Sequence, residues 1–278
     1  MRSGPIQRNG ISCILVALTT VVGLVGAAQA GSLRVIAKYG DPAPGSEGNF
    51  RTFLQLGGAD PAISGRNIAF GASIDGGGGV YAYIDGKLRV IADTNTPMPG
   101  TSGNFGFLGS EGGSPSISGR NVAFGAAAIA TGSIWMYRDG SLINIADVNT
   151  PVPGGTGTFS NFGLGHGVSP SISGENVAFA GVSSETSGIY AYINGELRVI
   201  ADTNTLVPGA PSPRTFMNFG QLGGVSPSIS GENVAFKGVW LGGGGVYAYI
   251  NGSLRVIADT TTTGVSGVGP SIHGENVA

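Results

Sequence analysis

Four aspartates recur at matching positions along the chain and could hold a cation through their side-chain oxygens. They are Asp93, Asp147, Asp202 and Asp259, each followed by Thr or Val and often by Asn. Carboxylate, amide and carbonyl oxygens are the ligands that Ca²⁺ takes in proteins. Each repeat unit offers only one carboxylate here, and the spacing is not that of an Asp-x-Asp-x-Asp-Gly loop. Either these residues bind calcium or each caps its own turn by accepting backbone N–H groups; no other cofactor is expected.

Catalysis would need titratable groups that converge, and the chain offers few of them. Glycoside hydrolysis, for example, uses two carboxylates. The position at which the first strand of each unit begins carries one carboxylate; its occupants are Asp60, Ser114, Ser169, Ser226 and Gly269. The two histidines, His166 and His273, lie in different sequence contexts. The sequence therefore predicts no catalytic residue, with a hydrolase or lyase acting on glycans as the alternative.

Aromatic side chains recur in the long loops between units and could form a ring that binds a glycan or a peptide. The candidate ligand contacts are Phe105, Phe107, Phe216 and Phe219, together with Asp60. The alternative is that each Phe pair packs under its own loop as a small satellite core, which recurrence in every unit favours. Trp240 breaks the repeat ahead of four glycines. If Trp240 is exposed in a loop, it is a better candidate for a ligand contact than any Phe. The alternative is that it packs against the edge of a sheet.

A repeat of 54 to 57 residues positions all of these side chains. The motif Leu-x-x-Ile-Ala begins at Leu33, Leu88, Leu142, Leu197 and Leu254, and a fixed internal period is the signature of a repeat architecture. Each unit reads as four short strands: Pro-Ser-Ile-Ser, Val-Ala-Phe, Val-Tyr-Ala-Tyr-Ile and Leu-Arg-Val-Ile-Ala. Asp-Gly or Asn-Gly joins the third to the fourth, as at Asn194-Gly195, which is a strong hairpin signal.

The strand pattern predicts an all-β fold, and specifically a β-propeller. From Val246 to Ile250 one face carries Val, Ala and Ile and the other two tyrosines, whereas a sheet with one wet face would alternate apolar with polar residues. Small four-stranded sheets buried on both sides suit blades around an axis. We expect four complete blades plus a partial fifth from the two chain ends, in one domain over 31–278; a solenoid is the runner-up. The repeats span 33–87, 88–141, 142–196, 197–253 and, in part, 254–278.

The repeat unit resembles the blades of TolB-like and WD-repeat propellers. The resemblance lies in the Ser-Gly-x-Asn turn, the Val-Ala-Phe strand and the Ile-Tyr-x-Tyr strand. The motifs Ile-Ala-Asp-Thr-Asn-Thr-Pro-x-Pro-Gly and Pro-Ser-Ile-Ser-Gly-x-Asn-Val-Ala-Phe are similar to those of uncharacterised secreted bacterial repeat proteins, which often end in a PEP-CTERM sorting segment. This resemblance implies a scaffold and an exported location, but no activity.

Residues 1–30 have the features of a secretory signal peptide: a basic start at Arg2 and Arg8, an apolar stretch, and Ala28-Gln29-Ala30 before the cleavage point. We therefore expect a secreted, periplasmic or cell-surface protein with no membrane span after cleavage. Cys13, the only cysteine, lies in this segment, so the mature chain would have no disulfide. With 16 acidic and 14 basic residues, the chain lacks the basic excess that a nucleic-acid partner needs.

These observations together predict an exported, non-enzymatic β-propeller that acts as a binding or surface-structural module. Its partner would be an unknown glycan, peptide or protein. The alternative is a propeller hydrolase or lyase acting on extracellular glycans. A cluster of carboxylates around the axis would favour the enzyme.

Overall fold

The computed structural model describes residues 33–53, 60–106, 108, 113–128, 131–163, 169–210, 212–219, 226–260 and 269–278, and the backbone of 13–17. Every regular element in these residues is a β-strand, and none is a helix able to cross a membrane. The first strands are β1 (Cys13–Ala17), β2 (Leu33–Lys38), β3 (Phe50–Thr52), β4 (Ala62–Ser64), β5 (Asn67–Ile74), β6 (Gly77–Ile84), β7 (Lys87–Asp93), β8 (Ser116–Ser118), β9 (Asn121–Ala128), β10 (Thr131–Arg138) and β11 (Ser141–Asp147). The remaining strands are β12 (Phe159–Asn161), β13 (Ser171–Ser173), β14 (Asn176–Ser183), β15 (Ser187–Ile193), β16 (Glu196–Asp202), β17 (Ser228–Ser230), β18 (Asn233–Trp240), β19 (Gly243–Ile250), β20 (Ser253–Asp259), β21 (Ile272–His273) and β22 (Asn276–Val277).

Four sheets of four antiparallel strands follow one another along the chain. We name them blade 1 (β4–β7), blade 2 (β8–β11), blade 3 (β13–β16) and blade 4 (β17–β20). In each blade the strands pair in sequence order, from a short first strand to the fourth. In blades 1 and 3 the preceding loop adds a fifth strand, β3 or β12, beside the far end of the second strand. The predicted all-β fold is confirmed.

The hairpin between the third and fourth strands has the turn that the sequence predicts. Its first residue has a positive φ in every blade, with values of 50° to 53° at Asp85, Asp139, Asn194 and Asn251. The glycine that follows has a positive φ as well, as at Gly195 with 88°. Two successive residues with positive φ form the type I′ turn, whose twist matches that of the flanking strands.

Consecutive blades bury the faces that they share, in keeping with the apolar pattern of the third strand. Phe124 of blade 2, for example, packs with Ala69 and Val80 of blade 1, and Phe236 of blade 4 packs with Ala178 of blade 3. The first-strand isoleucines of blades 2 to 4 are only 6–8% exposed because each lies against the preceding blade. Stacked four-stranded sheets that bury the faces they share make the fold a β-propeller.

A side-chain clamp joins each blade to the next. Asn176 of blade 3 donates from Nδ2 to the carbonyl of Gly231 in blade 4 at 2.9 Å, and its Oδ1 accepts the N–H of Asn194 at 3.0 Å. Ser173 Oγ accepts the N–H of the same Gly231 at 2.9 Å. The Asn-to-Gly bond recurs at Asn67–Gly119, Asn121–Gly174 and Asn233–Gly274. The Ser-Gly-x-Asn motif therefore specifies a contact between blades as well as a turn.

The two end segments pack on opposite members of the stack. Ala37 of β2 lies in the apolar cluster of blade 1, while Ile272 of β21 packs on Ala235 and Ala248 of blade 4. Within the described residues β2 is hydrogen-bonded to β1, and β21 to β22, in separate sheets. Ile63, in the first strand of blade 1, is 56% exposed, which shows that this part of blade 1 has no neighbouring blade over it. A fifth blade shared between the ends stays a prediction.

Replacing the hairpin glycine of blade 3 tests the turn. Gly195→Val should destabilise the protein by about 1–3 kcal/mol, because a β-branched residue at positive φ is strained. Gly103→Val is the matched control: a Cβ meets open space at both positions, but Gly103 has no positive φ. Chemical denaturation of both variants gives the free energies of unfolding, and equal stability would contradict the turn.

Replacing the clamp asparagine tests the contact between blades. Asn176→Asp preserves the shape but turns the donor that faces the Gly231 carbonyl into an acceptor, so we expect a loss of about 1–3 kcal/mol. Asn104→Asp is the control, since Asn104 is exposed and its side chain makes no hydrogen bond to the described residues. A thermal or urea unfolding curve unchanged in Asn176→Asp would show that the clamp does not hold the blades.

Candidate functional site

The starts of the first strands form a polar row, which we call the axial row (Asp60, Ser114, Ser169 and Ser226). The N–H of Asp60 donates to Ser114 Oγ at 2.8 Å, that of Ser114 to Ser169 Oγ at 2.7 Å, and that of Ser169 to Ser226 Oγ at 2.8 Å. Each bond joins one blade to the next. The sequence placed these residues at equivalent positions, and the structure brings them into one row.

The axial row suits recognition through hydrogen bonds. Asp60 is exposed, and the three serines are half-buried. Each hydroxyl oxygen that accepts a backbone N–H also carries an O–H donor. The row thus combines hydroxyl groups, peptide groups and one carboxylate, which is the set of groups that binds polyhydroxylated or peptide ligands. His166 lies outside the described residues, and His273 lies in β21 at the end of the stack.

The predicted aromatic ligand contacts lie inside the blades, in agreement with the favoured alternative that each Phe pair packs beneath its own loop. Phe105, Phe216 and Phe219 are at most 2% exposed. Phe216 packs edge-on against Tyr247, with ring centroids 4.8 Å apart, and against Phe219 at 5.1 Å. The loop runs back along the second strand and turns these rings inward, so they fill the core beneath the loop. Phe107 lies outside the described residues.

Trp240 packs at the end of a sheet strand, which is the second of its two alternatives, and is not an exposed loop residue. It is the last residue of β18, because the second strand extends further than the sequence indicated, and it is only 4% exposed. Its Nε1 donates to Tyr247 Oη at 2.9 Å, and the guanidinium of Arg214 lies 4.9 Å from its ring centroid. Trp240 therefore has no ring face available for a ligand to stack on.

Three of the four recurring aspartates, Asp93, Asp147 and Asp202, cap their own turns. Asp93 Oδ1 accepts the N–H of Asn95 at 3.0 Å and the hydroxyl of Thr96 at 2.7 Å. The same pair of bonds forms at Asp147 and Asp202. Asp259, which is 2% exposed, ends the fourth strand of blade 4. Among the described residues, no group of three or more His, Cys, Asp or Glu side chains could hold a metal, and calcium binding stays a prediction.

Blade 1 encloses two oxygens that find no hydrogen-bond partner among the described residues, Tyr81 Oη and Asp93 Oδ2. In blade 4 the hydroxyl of the equivalent tyrosine has a partner, because Trp240 Nε1 donates to Tyr247 Oη at 2.9 Å. Burial raises the pKa of Tyr81 well above its usual value, and the negative charge of Asp93 raises it further. Burial also raises the pKa of Tyr190 and of Tyr247.

Two residues of interest were missed at the sequence level, Arg214 and Leu241. Arg214 lies in the loop before blade 4, and its Nη1 donates to the carbonyl of Leu241, at the tip of the β18–β19 hairpin. Leu241 is 72% exposed. A comparison of hairpin residues between repeats could have found it, because the corresponding position of blade 1 holds Asp75.

A family model matches part of the chain. A model described as a family of unknown function (DUF7453) matches residues 18–120, which is less than half of the chain. A search of curated proteins gives no match.

Two solved structures are similar to the chain. The β-propeller domain of the Trilobed protease from Pyrococcus furiosus, described as having an open velcro topology, has a TM-score of 0.49 and 14% identity over 96% of this chain and 68% of that one. Pyrococcus horikoshii acylaminoacyl peptidase has a TM-score of 0.34 and 14% identity over 87% of this chain and 42% of its own. These likenesses are distant, and the propeller assignment rests on the packing of the sheets.

Alkaline pH should destabilise the protein through its buried tyrosines. Unfolded tyrosines ionise near pH 10.0, whereas Tyr81, Tyr190 and Tyr247 have raised pKa values in the folded state. Their contribution to stability is therefore complete below pH 10.0 and is lost as the pH rises beyond it, since only the unfolded chain releases these protons. Melting temperatures measured across this range should fall less steeply for Tyr81→Phe than for Tyr39→Phe, which removes an exposed tyrosine. If the melting temperatures of the two variants fell equally with pH, the raised pKa of Tyr81 in the folded state would be contradicted.

Proposed function

We propose that the chain is an exported, non-enzymatic β-propeller that acts as a binding or surface-structural module, with a secreted, periplasmic or cell-surface location. The axial row carries this proposal. It offers hydroxyl and peptide hydrogen-bonding groups from successive blades, with Asp60 as its one carboxylate. Groups of this kind recognise a glycan, peptide or protein without the paired carboxylates that glycoside hydrolysis uses.

Export is supported by the first thirty residues. The basic start, the apolar stretch and Ala28-Gln29-Ala30 match the features of a secretory signal. A repeat scaffold without cysteine in its mature part would not depend on disulfide formation outside the cell. Its stability would come instead from the packing and the clamps between blades.

Many of the polar side chains that could act in catalysis instead hold the structure together, which favours a binding role over an enzymatic one. The fourth-strand aspartates accept hydrogen bonds from their own turns, and the Asn and Ser side chains of the Ser-Gly-x-Asn motif hold the next blade. A rigid scaffold with polar groups along one line costs little conformational entropy on binding. The proposal includes no cofactor.

A binding screen on the axial row tests this function. The immobilised mature protein is exposed to panels of oligosaccharides and peptides, and bound and released molecules are identified by mass spectrometry. We expect a ligand to be retained unchanged, and Asp60→Asn to weaken its binding by about tenfold through loss of a charged acceptor. Glu47→Gln, which changes an exposed loop carboxylate, is the control.

Two results would count against the proposal. Release of cleaved or eliminated products, lost in Asp60→Asn, would indicate the hydrolase or lyase. Equal binding by the wild type, Asp60→Asn and Glu47→Gln would show that the ligand does not contact the axial row.

A further inference from the structure

The loop before a blade and the hairpin between that blade's second and third strands are joined by a carboxylate in blades 1 and 3. In blade 1, Arg51 of the loop forms an ion pair with Asp75 at the hairpin tip, and Asp75 Oδ2 also accepts the N–H of Asn49 at 3.1 Å. In blade 3, Thr156 Oγ1 donates to Glu185 Oε2 at 2.6 Å. In both blades, therefore, the carboxylate at the hairpin tip accepts hydrogen bonds from the preceding loop.

Blade 4 has a loop cation at the same junction but no carboxylate. The pairs Ile74–Gly77 and Trp240–Gly243 close equivalent two-residue turns, so Leu241 stands at the position of Asp75. Arg214 reaches this turn, where Nη1 donates to the Leu241 carbonyl and Nη2 donates to Ser212 Oγ at 2.6 Å. Its Nε is enclosed and has no partner among the described residues. No described carboxylate balances its charge.

Exposed aliphatic side chains accompany this unbalanced charge. Leu206 is 63% exposed, Met217 58% and Leu241 72%. Leu206 bridges to Thr215, next to Arg214 in the chain, and the N–H of Met217 donates to the carbonyl of Val239, two residues before Leu241. In other blades the position of Leu206 holds Pro97 or Pro151, and that of Met217 holds Arg51 or Ser160. We name this surface the Arg214 corner (Leu206, Arg214, Met217 and Leu241).

We propose that the Arg214 corner binds a carboxylate side chain carried by an apolar peptide segment of a partner protein. The partner's carboxylate takes the role that Asp75 has in blade 1 and accepts from the guanidinium of Arg214, while its apolar neighbours cover the exposed aliphatic groups. Charge-assisted bonds from an arginine to a carboxylate are among the stronger hydrogen bonds. This inference rests on the proposed binding function and names a partner class for it.

A peptide segment fits the corner better than a sugar does. Sugar rings stack on exposed aromatic faces, but the ring of Trp240 is buried and its accessible side is covered by Arg214. Aliphatic side chains beside a cation instead match a segment in which a carboxylate alternates with Leu or Phe. The partner therefore supplies a negative charge opposite Arg214 and apolar side chains that cover the exposed aliphatic groups of the corner.

Paired peptides and a self-blocking variant test the proposal. The probe is an array of Leu- and Phe-rich hexapeptides with blocked termini, in which each Glu-containing member has a Gln counterpart. We expect the wild type to bind Glu members at least about tenfold more tightly, measured by fluorescence anisotropy. Leu241→Asp should abolish this preference, because it installs a carboxylate where Asp75 lies in blade 1. Leu241→Asn adds no charge at the same site and should keep the preference.

The outcomes are distinguishable. Equal binding of Glu and Gln members by the wild type, or a preference that survives in a folded Leu241→Asp variant, would overturn the proposal. Binding of an oligogalacturonate alone, lost in Leu241→Asp, would show an anion site with the wrong partner class and would also overturn it. The axial row is tested by Asp60→Asn and the Arg214 corner by Leu241→Asp, so failure at one surface and failure at the other are separate results.

Discussion

Burial of the faces that neighbouring blades share is the constraint on which the rest of the structure depends. A single blade has apolar side chains on each face and cannot fold alone in water without exposing one of them. Stacking solves this problem only if adjacent sheets are held in register, since the side chains of neighbouring faces must interdigitate. The clamp through Asn176 supplies this register: one amide joins a hairpin N–H of its own blade to a carbonyl of the next.

The contacts between blades are also complementary in charge from one junction to the next. Arg120 of blade 2 pairs with Asp85 of blade 1 at 2.8 Å, whereas Glu232 of blade 4 accepts from the Asn194 amide of blade 3 at 2.7 Å. The turn residue that precedes the clamp Asn thus faces a hairpin residue able to bond with it, whether its own charge is positive or negative. Because these pairs are exposed, each contributes modestly to stability. The residues of these pairs differ from one junction to the next, while the clamp between the blades stays the same.

Local patterns in the sequence were sufficient to predict the elements of the blade. Asn194-Gly195 specifies its own turn, because both residues accept a positive φ, and the alternation from Val246 to Ile250 shows that neither face is wet. Recurrence of the Phe pairs favours packing beneath their loops, but the position that the rings take could not be read in this way. It depends on the loop pairing with the second strand, which joins Phe159 to Ser183, residues far apart in sequence. Trp240 became the end of a strand because it pairs with Gly243 across the β18–β19 hairpin, although the glycines after it suggested a loop.

The least predictable feature, the Arg214 corner, lies where the requirements of the scaffold are weakest. Nothing in the packing of blade 4 needs an aliphatic residue at Leu241, since that side chain is largely exposed and a carboxylate serves the corresponding place in blade 1. An exposed ion pair adds little to stability, so its loss costs the fold little. The loss nevertheless leaves the charge of Arg214 unbalanced beside exposed apolar groups. A propeller can therefore carry a specific surface at one corner while the repeated clamps keep the other junctions, and the stability of the whole, unchanged.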